Sequence, residues 1–164
     1  VIRLFSFLIP KREVPVQLQV GDGAAAVALP LDGGFDEGSI GAARRYAATP
    51  AVEGFSSVPL MRLAHGRSGD KGDKANIGII ARQPEFLPYI RAAITEEAVA
   101  RWFAHLVHGT VHRYDLPGTH ALNFMLHEAL GGGGIASVRM DSQGKAYAQM
   151  LLDHPVPVPA DLAL

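Results

Sequence analysis

Twelve consecutive residues, His65-Gly66-Arg67-Ser68-Gly69-Asp70-Lys71-Gly72-Asp73-Lys74-Ala75-Asn76, gather three glycines, three cations, two carboxylates, a hydroxyl, an imidazole and an amide. Glycines let backbone amides converge on a ligand, and Arg67, Lys71 and Lys74 can neutralise a phosphate or carboxylate, so this stretch reads as a loop binding an anion. His65, Ser68, Asp73 and Asn76 are further ligand-binding candidates in it. The phosphate-loop pattern G-x-x-x-x-G-K-[ST] is missing, and no G-x-G-x-x-G leads a strand into a helix. Ser68 lacks the G-x-S-x-G context of an elbow nucleophile. The plainer alternative is a surface turn with internal Asp–Lys pairs, which contribute little.

A second polar group follows Thr119. Read as a helix capped by that residue, the segment places His120, Asn123 and His127 at i, i+3 and i+7, opposite an apolar stripe of Leu122, Met125, Leu126 and Ala129. At ~1.5 Å rise per residue the two histidines stand about 10 Å apart, too far to share one ion, so no metal is expected, nor any cofactor. His120 and His127, with Asp70 from the first cluster, are the candidates for acid–base work, and Asn123 for ligand binding. The alternative is the solvent face of an ordinary amphipathic helix. Gly131 to Gly134 would admit a ligand close to the backbone, or simply end that helix. His105, His108 and His112 flank a helix end and receive no catalytic role.

The elements that must position these groups follow from pattern and punctuation. Val1 to Pro10 reads as a β segment, and VPVQLQV, GDG and AAAVALP as a hairpin. Leu31 to Ser57 is rich in Gly, Ala, Ser and Pro without a sustained period, which marks a linker. Residues 1–30 are then the strand remnant of a preceding domain, and 58–159 a folded unit. Within it VPLMRLAH and NIGIIAR read as strands, the second a near-continuous apolar run that implies burial on both faces, with the polar loop between them. Pro84 and Pro88 open a helical segment carrying Leu87, Ile90 and Ile94. Thr95 caps the next helix, whose core stripe is Val99, Trp102, Phe103 and Leu106 and which Gly109 stops. TVHRYD is a short strand before the third helix. IASVRM and KAYAQMLL form a closing hairpin about the turn DSQG, and the prolines of HPVPVP end the sheet. The fold class is α+β, a ferredoxin-like two-layer sandwich with an antiparallel or mixed sheet and helices on one face.

Composition narrows the function classes. Hydrophobic residues are 48% and charged ones 19% of the 164, and 15 Lys and Arg against 16 Asp and Glu leave a net charge of −1. That removes the general electrostatic case for nucleic acid or an anionic membrane. The absence of cysteine excludes disulfides, thiolate zinc and a cysteine nucleophile, and makes a reducing cytoplasm the natural compartment. VIRLFSFLIP is too short to span a bilayer. Because the chain starts at Val1, a segment upstream is expected to be missing.

HGRSGDKGDKANIGIIAR, FAHLV, RYDLPGTHALNFMLHEALGGGG and QGKAYAQMLLDHPVPVP, taken in that order, resemble the C-terminal domain of the acyclic terpene utilization (AtuA) family over roughly Val58 to Pro159. VIRLFSFLIPK is similar to the end of that family's larger N-terminal domain. The resemblance implies a part in bacterial breakdown of acyclic terpenoids or related branched compounds through CoA thioesters. It implies as partners an acyl-CoA ligand and the missing N-terminal domain or an adjacent subunit in a homo-oligomer. Two readings follow: an acyl-CoA pathway domain whose polar clusters share one cleft, and a non-catalytic oligomerisation or domain-docking module.

Overall fold

The computed structural model describes residues 5, 7–34, 36–41 and 54–162. Contacts divide the chain into a small unit, Phe5–Arg44, and a large one that contains Arg45–Leu164. In the small unit β1 (Gln17–Val20) pairs antiparallel with β2 (Gly23–Ala26), and Gly21, with φ 57°, makes the turn that Gly-Asp-Gly predicts. The strand expected over Val1 to Pro10 falls partly outside the described residues; Phe5 and residues 7–10 have no regular structure. Residues 35 and 42–53 of the expected linker also lie outside them, and its end is not loop, since β3 begins at Phe55.

The large unit is built on a sheet of four antiparallel strands, β4 (Ala64–Lys71), β5 (Lys74–Ala81), β6 (Val111–Leu116) and β7 (Ala121–Leu126), in the order β4-β5-β7-β6. Helices α1 (Leu87–Ala93) and α2 (Glu96–Trp102) connect β5 to β6, and α3 (Tyr147–Leu152) follows β7. This ββαββα succession, with its strand order, is the ferredoxin-like βαββαβ arrangement cyclically permuted. A separate antiparallel ladder joins β3 (Phe55–Pro59) to β8 (Pro155–Pro159).

One face of the sheet is the core. Ile77 and Ile79 of β5 stand opposite Phe124 and Leu122 of β7, all buried, and successive side chains alternate between faces. Burial of each such side chain contributes roughly 1.5–3 kcal/mol. The helices lie on this face, α3 against β4 and β5, α2 against β6, and α1 against β8. Thr95 caps α2 as expected, its Oγ1 accepting the amide of Ala98 at 3.1 Å. The Arg113 guanidinium donates to the carbonyls of Arg91 and Ile94 at 2.8 and 3.1 Å, tying the end of α1 to β6. Arg91 in turn pairs with Asp115.

Four expectations are corrected. The charged stretch from His65 to Asn76 is a hairpin rather than a loop; β4 and β5 pair out to Lys71 and Lys74, and only Gly72 (φ 68°) and Asp73 turn the chain. An edge strand with one uncovered face tolerates those charges. The segment after Thr119 is β7, not a helix, because Leu122, Phe124 and Leu126 alternate onto the core. KAYAQMLL is no hairpin strand; from Tyr147 on it is α3, with Tyr147, Ala148 and Leu151 buried. Finally, HPVPVP does not end the sheet but supplies β8. The hydrogen bonds flanking that ladder, Leu60 to His154 and Ala160 to Gly54, put Val156 and Val158 in the bonding positions, so that Pro155, Pro157 and Pro159 fall between them, where no donor is needed.

Candidate functional site

The face of the sheet away from the helices is uncovered, and the registers identify what stands on it. β4 contributes His65, Arg67, Gly69 and Lys71; β5 contributes Lys74, Asn76, Gly78 and Ile80. β7 adds Ala121, Asn123 and Met125, and β6 adds His112, Tyr114 and Leu116. None of these is a carboxylate, since Asp70 and Asp115 alternate to the other face. A chain with nearly balanced charge thus presents a strand surface bearing cations, imidazoles, amides, a phenol and apolar groups.

At the hairpin end of this surface lies a cavity of about 340 Å³ lined by Arg67, Ser68, Gly69, Asp70, Lys71, Asn76, Gly78 and Lys145, so that three cations and one carboxylate border it. Lys145 arrives from the start of α3, far away in sequence. The Ser68 hydroxyl, itself buried, donates to the Lys145 carbonyl at 3.1 Å and accepts the Ala148 amide at 2.9 Å. The Asp141 carboxylate accepts the amides of Lys145 and Ala146 at 2.9 and 2.8 Å. Held at both places, Lys145 reaches the open side, where its Nζ is 3.3 Å from the point a Cβ on Gly69 would occupy. Glycine at 69 therefore makes room for an ammonium group.

Among the described residues the Arg67 guanidinium and the Lys145 ammonium have no ion-pair or hydrogen-bond partner, while Lys71 Nζ donates to the Asp70 carbonyl at 2.8 Å. Asn76 donates to Asn123 at 3.2 Å across the diagonal from β5 to β7, which fixes the Asn76 amide at the cavity wall. Such a set supplies a planar bidentate donor, two ammonium groups and a fixed amide, the chemistry of phosphate or carboxylate recognition.

Residues 58–157, well over half of the chain, match the model of the AtuA ferredoxin-like domain. The chain belongs to this family. No curated protein and no solved structure matches it.

In this AtuA-family domain the first polar cluster is partly brought together. Arg67, Lys71, Asp70 and Asn76 border the cavity and Asn123 adjoins through Asn76, whereas His65 lies farther along β4, beside Arg82 at 3.3 Å. Two residues expected to bind ligand hold the fold. Ser68 pins α3, and Asp73 Oδ1 accepts the amides of Leu130 and Gly132 at 3.2 and 2.7 Å. Lys74 stands at the turn outside the cavity lining.

The acid–base candidates do not converge. As a strand, the segment from His120 to His127 spans roughly 23 Å at ~3.3 Å per residue, which puts the two histidines at opposite ends of β7. His120 sits in the β6–β7 turn with φ 51°, and His127 packs edge-on against His112 with ring centroids 5.3 Å apart. Among the described residues no group of three His, Asp or Glu side chains is placed to hold a metal ion. Nor is any helix there long and apolar enough to cross a membrane.

Lys145 and Gly78 are the residues that sequence reasoning missed. Nothing local to Gln-Gly-Lys signals the first, because only the closure of α3 onto β4 brings it to the site. Alternation along NIGIIAR does signal the second, by putting Gly78 on the face opposite Ile77 and Ile79.

Proposed function

We propose that this AtuA-family domain binds a small anionic ligand of the acyl-CoA type, in the catabolism of acyclic terpenoids or branched acyl compounds in the cytoplasm. One observation carries the reading: Arg67 and Lys71 of β4 and the sequence-distant Lys145 line a single cavity in which three cations face one carboxylate, Asp70. Ordered cations of this kind hold a phosphate or carboxylate with hydrogen bonds that contribute about 1.5–3 kcal/mol each. A larger N-terminal domain or a second subunit is the expected neighbour.

Titration calorimetry of the chain with coenzyme A tests the reading. Arg67→Ala and Lys145→Ala should each weaken binding about tenfold or more, which corresponds to at least ~1.4 kcal/mol, and raised salt should weaken it further. Unchanged affinity in both variants, with circular dichroism showing them folded, would sink the idea.

A second reading, that the domain is an assembly module, is favoured by the segment after the glycine run. Ile135, Val138 and Met140 are exposed there, Val138 and Met140 completely. Apolar groups so placed suit contact with another polypeptide. Sedimentation of the chain and of a Val138→Ser/Met140→Ser variant decides this: a dimer that the substitutions dissociate supports assembly, and a monomer throughout removes it.

A further inference from the structure

Next to the anion cavity, and sharing Arg67 and Gly78 with it, is a second cavity of about 270 Å³. Its side-chain walls are His65, Ile80, Leu116 and Ala121, one from each strand of the sheet, so it runs across the open face. Ile80 and Leu116 leave 45% and 42% of their surface in water. Charge and hydrocarbon are thus segregated along one groove, with cations at the hairpin end and aliphatic carbon at the other.

Gly78 forms the floor between the two halves. Its direct neighbours across the strands are Arg67 and Asn123. A Cβ there would come no closer than 3.8 Å to any atom, the nearest being the Arg67 carbonyl oxygen, and its φ is not positive. Neither packing nor backbone geometry therefore requires glycine. Glycine inside a strand weakens it and often marks a place where a ligand approaches the backbone. Gly78 lines both cavities, so any side chain there would stand between the cationic and the aliphatic groups.

We propose that the groove takes an amphiphilic anion, its phosphate or carboxylate held by Arg67 and Lys145 and its hydrocarbon chain lying over Gly78 against Ile80, Leu116 and Ala121. Gly78 is then the residue that decides whether a chain-bearing ligand is accepted. This inference rests on the anion site proposed above and adds where the ligand's hydrocarbon chain lies and which residue admits it.

The test is calorimetry of the chain with inorganic phosphate, butyl phosphate and octyl phosphate, each below its micelle concentration, and with octanol. A methylene fully transferred from water contributes about fourfold in affinity, and in an open groove half of that free energy gives about twofold, so octyl phosphate, with four more methylenes, should bind about fifteenfold more tightly than butyl phosphate. Gly78→Val, which suits a strand and whose Cβ would make only an ordinary 3.8 Å contact, should bring the octyl and butyl phosphate affinities together. Leu116→Asn on the exposed edge strand should reduce their ratio and provides a second variant should Gly78→Val not fold. Equal binding of butyl and octyl phosphate by the wild type overturns the inference while leaving the anion site standing. Octanol binding that does not compete with octyl phosphate also overturns it, by separating the two cavities. If no member of the phosphate series binds, the anion site and this inference fall together.

Discussion

Asp73 accepts the amide of Gly132 at 2.7 Å through a carboxylate oxygen, and its main-chain carbonyl takes the amides of Ala129 and Leu130 at 2.9 and 3.2 Å. The turn of the β4–β5 hairpin is in this way bolted to the start of the glycine run, across more than fifty residues of sequence. Asp73→Ala removes the charged acceptor for two amides and should destabilise the domain by about 2–3 kcal/mol, with Asp73→Asn recovering part of the loss. Urea denaturation monitored by circular dichroism measures both. A loss below ~0.5 kcal/mol for the alanine variant would mean that water replaces the carboxylate.

The same junction separates Gly133 from the glycine after it. Gly133 has φ 67° and ψ 162°, a region open almost solely to glycine, and an added Cβ would run into the Gly72 carbonyl and come to 2.8 Å from the Asp73 nitrogen. Gly134 also has a positive φ, 49°, but a Cβ there meets nothing within 4 Å. Gly133→Ala should cost about 4 kcal/mol or more and leave little folded protein, whereas Gly134→Ala should cost only about 1 kcal/mol. Thermal melting of the two variants side by side distinguishes a steric requirement from a merely conformational one.

Ser68 connects stability to the site without lining it with a free hydroxyl. Its Oγ is the partner of the buried Ala148 amide and of the Lys145 carbonyl. Ser68→Ala leaves that amide unsatisfied and should cost about 1–3 kcal/mol. It should also weaken coenzyme A binding severalfold, because Lys145 loses the contact that fixes its backbone. If stability falls but affinity holds, Lys145 is positioned by Asp141 alone.

What could be read in the sequence depended on whether local pattern and tertiary pairing agreed. For α2 they agree: a capping threonine, two acids in the first turn and an i, i+3, i+4 stripe all specify a helix, and the core buries Val99 and Phe103. NIGIIAR was legible as a strand, but its near-continuous apolar run implies burial on both faces, whereas only Ala75, Ile77 and Ile79 turn to the core and Ile80 stands in water. ALNFML was not. Leu122, Met125 and Leu126 satisfy helical spacing while Leu122, Phe124 and Leu126 satisfy alternation, and the choice is made by pairing with β5 and β6, which no local pattern states. Misassigning β7 put His120 and His127 on one imagined face, while the part of the site that depends on β4 needed only the correct alternation of His65, Arg67 and Lys71. Lys145 was beyond reach for the remaining reason: its place follows from Ser68 gripping the start of α3.

His154 should make stability fall on the acid side. Its ring packs 4.8 Å from that of Trp102 and its Nδ1 lies 2.9 Å from the Pro155 carbonyl oxygen, so the neutral ring donates there. Burial holds its pKa below the ordinary 6.5; the Pro155 hydrogen bond opposes that shift and nearby Arg101 reinforces it. With the folded pKa depressed, the unfolded chain binds the proton first. The stabilising contribution is therefore present above pH ~6.5 and is lost as pH falls through the folded value. His154→Phe keeps a ring against Trp102 but cannot titrate, so its melting temperature should change less between pH 7.5 and pH 5 than that of the wild type. Parallel pH profiles for the two proteins would show that another group, not His154, sets the acid dependence.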